Sequence, residues 1–164
     1  SLGMLAVAAA SSTASGAAGR DDVLKPQSIV FADQGRSALA RGDANAAIDA
    51  FEAALAADPK NVGAFSGIAQ SYEKLGLPGK AVKFYREALV LNPSDLDALE
   101  GQGRAFVARG ATARAQVNLA RIKALCKADC PQAVRLQTAL AAPPAQATAS
   151  ATAGAPKPPV TARN

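Results

Sequence analysis

The chain has 164 residues, enough for one domain with its own core plus tails. Alanine dominates, only seven residues are Phe or Tyr and Trp is absent, which favours closely packed helices over a sheet. Histidine is absent, which excludes Ser-His-Asp triads, Cys-His dyads and His-based zinc sites, and the net charge of +5 shrinks to 13 basic against 11 acidic residues over 28–130.

That mild excess, with no interleaved aromatic stacking platform, argues against a nucleic-acid surface. No spacing of carboxylates or lysines points to catalysis, and no cofactor is implied.

Residues 1–24 open without charge up to Arg20, running from an apolar stretch (Leu2 to Ala10) into small residues. This is the pattern of the later part of a secretory signal, with Ala-x-Ala sites around Ala8 to Ala10, and it sets an expectation of export. The alternative is an Ala/Ser extension in the cytoplasm. The apolar run falls short of the ~20 residues that span a bilayer, so no transmembrane span is expected in the mature chain.

From residue 25 to 142 the sequence repeats itself. Gly42, Gly76 and Gly110 are 34 residues apart, as are Ala47, Ala81 and Ala115, and Phe51, Tyr85 and Leu119. Pro59 and Pro93 keep the same interval, and so do Gly35, Ala69 and Gly103. A period of this size predicts stacked helix-turn-helix units, over about 28–61, 62–95 and 96–129.

In the middle unit Phe65, Ile68, Ala69 and Tyr72 fall at i, i+3, i+4 and i+7 of one buried stripe. Gly76 ends that helix, Pro78 opens the next, and Ala81, Tyr85 and Ala88 form the inner face of the second. Small residues at Gly35, Ala69 and Gly103 mark where paired helices cross most closely.

These residues resemble the tetratricopeptide repeat. The family's order of aromatic, aliphatic, small, aromatic, Gly, Ala, aromatic, Ala, Pro is met by Phe65, Ile68, Ala69, Tyr72, Gly76, Ala81, Tyr85, Ala88 and Pro93. The first copy matches with Phe31, Gly35, Gly42, Ala47, Phe51, Ala54 and Pro59, but carries Gln34 and Ala38 at two usually larger positions. The third has Leu99, Gly103, Phe106, Gly110, Ala115 and Leu119, then departs, with Ile122 for alanine and Lys127 for proline. The resemblance implies an all-α fold, a right-handed α-solenoid of about three such units plus a C-terminal capping helix.

It also implies a concave groove lined by the first helix of each unit, where Ile29, Ala32, Asp33, Arg36, Leu39, Ser66, Gln70, Glu73, Lys74, Asp97, Glu100, Arg104 and Val107 are expected to be exposed. Asp33, Arg36, Ser66, Gln70, Glu73, Asp97, Glu100 and Arg104 are the candidate residues for binding a peptide or partner helix. In family members that hold a peptide's terminal carboxylate, lysine, asparagine and arginine converge here. The corresponding places carry Ala32, Arg36, Gly67, Asp97 and Gly101, so that clamp is not present.

The segment "LARIKALCKADCPQAVRLQ" (119–137) holds the only cysteines, Cys126 and Cys130. A tetrahedral metal site needs about four ligands, and two thiolates supply it only by sharing across a dimer. A redox pair has the wrong spacing for Cys-x-x-Cys. A structural disulfide requires the helix to break around Lys127–Asp129, since residues four apart on an unbroken helix stand ~6 Å apart at Cβ. The bridge is the preferred reading and accords with export, with two free thiols as the remaining alternative. A capping helix over 131–142 follows, with Pro131 in its first turn and Val134, Leu136 and Leu140 available to cover the last repeat. This ending resembles small exported tetratricopeptide proteins of alphaproteobacteria.

From Gly101 to Ala128 there are six basic residues (Arg104, Arg109, Arg114, Arg121, Lys123 and Lys127) and no acid. They complement helix C-termini or dock an acidic segment or headgroups. Residues 143–164 are Ala, Pro and Thr with no acid, which predicts a disordered tail. The expectation for the whole chain is a monomeric, non-catalytic scaffold in the periplasm that binds another protein during envelope assembly. A thiol–disulfide redox protein and a pilus or secretion accessory protein are the alternatives.

Overall fold

The structure is a computed structural model that describes residues 23–126 and 130–142. The signal-like segment (apart from Val23 and Leu24), the break expected at 127–129 and the tail at 143–164 lie outside the described residues. Among the described residues seven helices follow one another: α1 (Pro26–Ala40), α2 (Ala44–Ala57), α3 (Val62–Lys74), α4 (Pro78–Leu91), α5 (Leu96–Ala108), α6 (Thr112–Leu125) and α7 (Pro131–Ala141).

Their ends are written in the local chemistry. Pro26, Pro78 and Pro131 each occupy the first turn, where a missing N–H costs nothing. Asp43, Asn61 and Asp95 cap α2, α3 and α5 by accepting from Ala46 N at 3.0 Å, Ala64 N at 3.0 Å and Ala98 N at 2.9 Å. The first helix of each unit stops at the 34-spaced glycines, whose φ values of 83°, 69° and 72° at Gly42, Gly76 and Gly110 suit no other residue as well.

Each helix packs on the next, and α1, α3, α5 and α7 also contact one another in succession. The second helices α2, α4 and α6 do not pack on one another. The first helices therefore form the inner face of an all-α solenoid, and the second helices fan out behind them.

The core is built by rings seated on glycines. Phe51 fills the space above both Gly35 on α1 and Gly67 on α3; a β-carbon at Gly35 would stand 2.7 Å from its ring. Tyr85 fills the same role against Gly101 on α5. The slot at Gly103 is closed by Leu136 of α7. Buried residues form two clusters, one centred on Phe51 and Ile68 and the other on Tyr85, Leu99 and Leu136; Tyr72 and Phe84, stacked at 5.4 Å, touch both.

Polar staples tie the units together. Ser28 Oγ donates to Ala54 O at 2.8 Å and accepts from Asn61 Nδ2 at 2.9 Å, while Asn118 Nδ2 donates to Leu99 O and Gln102 Oε1, each at 3.0 Å. The sulfurs of Cys126, which caps the end of α6, and Cys130, which caps the start of α7, lie at bonding distance, with α-carbons 6.0 Å apart. Among the described residues no helix is long and apolar enough to cross a membrane.

Candidate functional site

The 34-residue period stacks equivalent side chains across the inner face. One row is Ala32, Ser66 and Glu100, the next Arg36, Gln70 and Arg104, and a third Leu39, Glu73 and Val107. Leu39, Gln70, Glu73, Lys74 and Arg104 surround an open cavity of about 370 Å³ between the first helices. Gln70 and Lys74 are exposed, and so are Asp33 and Arg36, which pair with each other on α1.

Toward the C-terminal end a charge network crosses four helices. Tyr85 Oη donates to Glu73 Oε2 at 2.7 Å, and Arg104 Nη2 donates to the same oxygen at 3.2 Å. Arg104 also lies 3.4 Å from Glu100 Oε1, and Arg135 of α7 donates to Glu100 Oε2 from Nε at 2.9 Å and Nη2 at 2.6 Å. Arg135 reaches Asp97 at 3.7 Å, and Gln132 Nε2 donates to Asp97 Oδ1 at 2.9 Å.

Burial, then the Glu73 charge, hold the Tyr85 hydroxyl far above the ordinary tyrosine value, so it stays protonated and donating. Burial opposes the Arg104 charge, but Glu73 and Glu100 outweigh it and raise its pKa, and the hydrogen bonds to Glu100 raise that of Arg135.

Two of the residues expected to be exposed are buried, and Leu39, Ser66, Glu73 and Val107 are half-buried. Glu100 is 4% exposed, because α7 docks over α5 and brings Arg135 onto its carboxylate. Ala32 is 2% exposed, packed in the Phe51 cluster where α3 lies against α1. Ser66 is half-buried, and its Oγ has no hydrogen-bond partner among the described residues. Gln70, Glu73 and Arg104 converge on one cavity; Asp33 and Arg36 sit apart on α1, and Asp97 faces α7.

Arg135 and Gln132 were not among the expected site residues. The signal for Arg135 was present, since it stands 34 residues after Gly101 and 68 after Gly67. Of the terminal-carboxylate clamp positions, Ala32 is buried, Gly67 and Gly101 lie beneath Phe51 and Tyr85, and Arg36 and Asp97 are engaged within the chain.

A family model described as tetratricopeptide repeat matches residues 32–95 and again 67–124, together more than half of the chain. The chain belongs to the tetratricopeptide repeat family. Its members are protein-interaction modules, and this chain is a protein-interaction scaffold in that sense.

Solved tetratricopeptide structures share the architecture. The second TPR domain of human RPAP3, determined in complex with an HSP70 peptide, is 25% identical with a TM-score of 0.63, over 69% of this chain and 94% of that one. The TPR2B domain of yeast Sti1, in a complex with pHsp70, is 17% identical with a TM-score of 0.65, over 71% and 94%. MamA is 20% identical with a TM-score of 0.58, over 60% and 58%. No curated protein matches the chain.

Proposed function

We propose that this tetratricopeptide protein holds an extended segment of another protein along its inner face, as a monomeric and non-catalytic scaffold. The observation that carries the reading is the open cavity where exposed Gln70 and Lys74 meet the paired charges of Glu73 and Arg104. A peptide backbone needs donors and acceptors in alternation, and this face presents both without a preorganised nucleophile or base. The complex of the RPAP3 domain with an HSP70 peptide supports a peptide as the class of ligand. The missing carboxylate clamp argues that the ligand is gripped along its length and not by a free C-terminus.

Replacing Gln70 and Lys74 together with alanine tests this, since both are exposed and lie outside the core. Capture of the partner from the native host falls while the thermal midpoint is unchanged. Undiminished capture by the folded variant moves the site off the inner face.

The setting we propose is the bacterial envelope, with the protein exported and Cys126 and Cys130 joined as a staple at the entry to α7. The signal-like start and the sulfur placement support it. Intact mass from the native host would show loss of about 10–20 residues and a gain of two hydrogens on reduction. An unprocessed chain with two thiols sinks both ideas. If the pair instead turned over a small disulfide substrate, with activity lost in Cys126→Ser, the thiol–disulfide alternative would replace the staple.

A further inference from the structure

Behind the inner face, the fanning of the second helices leaves a groove between α4 and α6 with α5 as its floor. It encloses about 460 Å³, and none of the residues lining it is acidic. Its walls carry helical stripes. Val82, Arg86, Leu89 and Val90 follow at i, i+4, i+7 and i+8 on α4, and Arg114, Val117, Asn118 and Arg121 at i, i+3, i+4 and i+7 on α6. Val90 and Val117 are 69% and 60% exposed, so the apolar surface faces outward with nothing among the described residues over it.

Among the described residues, two of the three rim arginines meet no carboxylate. Arg121 Nη2 donates to Pro93 O at 2.9 Å, Arg114 lies over the Phe106 ring at 5.7 Å, and neither meets a carboxylate among the described residues. Arg86 reaches its neighbour Glu87 at 3.9 Å, with both side chains in solvent. Arg114 and Arg121 are two turns apart, about 10 Å along the axis. A docked helix with the same rise would place acidic side chains seven residues apart against them, with aliphatic side chains between. Guanidinium groups meet carboxylates in bidentate pairs, for which arginine is better suited than lysine.

We propose that this outer groove, floored by Phe106, walled by Val82 and Leu89 and rimmed by Arg86, Arg114 and Arg121, is a second docking surface for an acidic amphipathic helix of a protein partner. A recessed apolar floor suits a helix better than it suits the plane of a membrane. The surface is independent of the inner-face reading, because the two share no exposed residue.

The test uses the full chain and a fluorescein-labelled helical peptide with glutamates at i and i+7 and leucines at i+3 and i+4. Anisotropy shows binding that weakens as salt rises from about 0.05 to about 0.5 M. Amide shifts on titration concentrate at Val90, Phe106 and Val117. Binding weakens at least about tenfold in Arg114→Glu/Arg121→Glu and in the single variant Val117→Asp, whose site is already in solvent. It is unchanged in Gln70→Ala/Lys74→Ala. Absence of binding to the wild type, equal binding of the peptide with lysine for glutamate, or shifts confined to α1 and α3 would each overturn the proposal. So would failure of the peptide alongside binding of phosphatidylglycerol vesicles that the same arginine variants abolish, which would make the surface a lipid site.

Discussion

Gly101 lies directly against the Tyr85 ring and hydroxyl, and a methyl group added there has nowhere to go. In an exposed helix alanine would gain up to about 1 kcal/mol over glycine. Here overpacking against a fully buried ring, itself held by the Glu73 hydrogen bond, wins by about 1–3 kcal/mol. Gly101→Ala is therefore expected to lower the denaturation midpoint, while Gly63→Ala, whose nearest contact is Asn61 Oδ1 at 3.4 Å, leaves it unchanged or raises it. Equal behaviour of the two would contradict the slot-filling account.

Asp58 gives a pH test. It is 6% exposed, and the backbone N–H groups of Lys25 and Lys60 donate to its two oxygens at 3.0 Å each, which holds its pKa below the ordinary aspartate value. A lowered folded-state pKa contributes stability above the unfolded value and loses it as pH falls through the folded value. The gap in stability between the native chain and Asp58→Asn is thus full near neutral pH and shrinks below about pH 4. Denaturant titrations of both at stepped pH check this, and a gap that widened in acid would refute it.

At the level of helices, the repeats were legible because their chemistry recurs at a fixed interval, with Gly42, Gly76 and Gly110 at left-handed turns and Phe51 and Tyr85 over small residues. The last unit was less so. Leu119 replaces the aromatic, and the space above Gly103 is taken by Leu136 from outside the unit. That substitution makes α7 part of the core. Leu136→Ala is expected to cost about 2–5 kcal/mol, with hydrogen-exchange protection lost first in α7 and α6 and last in α1 to α3. Uniform loss across all helices would show that the solenoid unfolds as one unit, against the nearest-neighbour coupling expected of repeats.

For the whole molecule, the candidate site was partly legible. The period identifies which side chains share a row, so Gln70, Glu73 and Arg104 were found together. It cannot report what a following helix brings. Glu100 shares a row with Ala32 and Ser66, and its burial depends on the docking of α7, which sets Arg135 where the earlier units have Gly67 and Gly101. The curvature is likewise a property of the assembly. Contacts in succession along α1, α3, α5 and α7, with none between α2, α4 and α6, close the inner side and open the outer one.

The central claim is that the inner face holds another protein. A photo-crosslinking residue placed at Gln70, and for comparison at exposed Asn45 on α2, in the full chain in its native host tests it most directly. A discrete protein adduct is expected at Gln70 that is absent at Asn45 and is lost when Lys74 is changed to glutamate. An adduct at Asn45 with none at Gln70, or the same adducts at both, would contradict it.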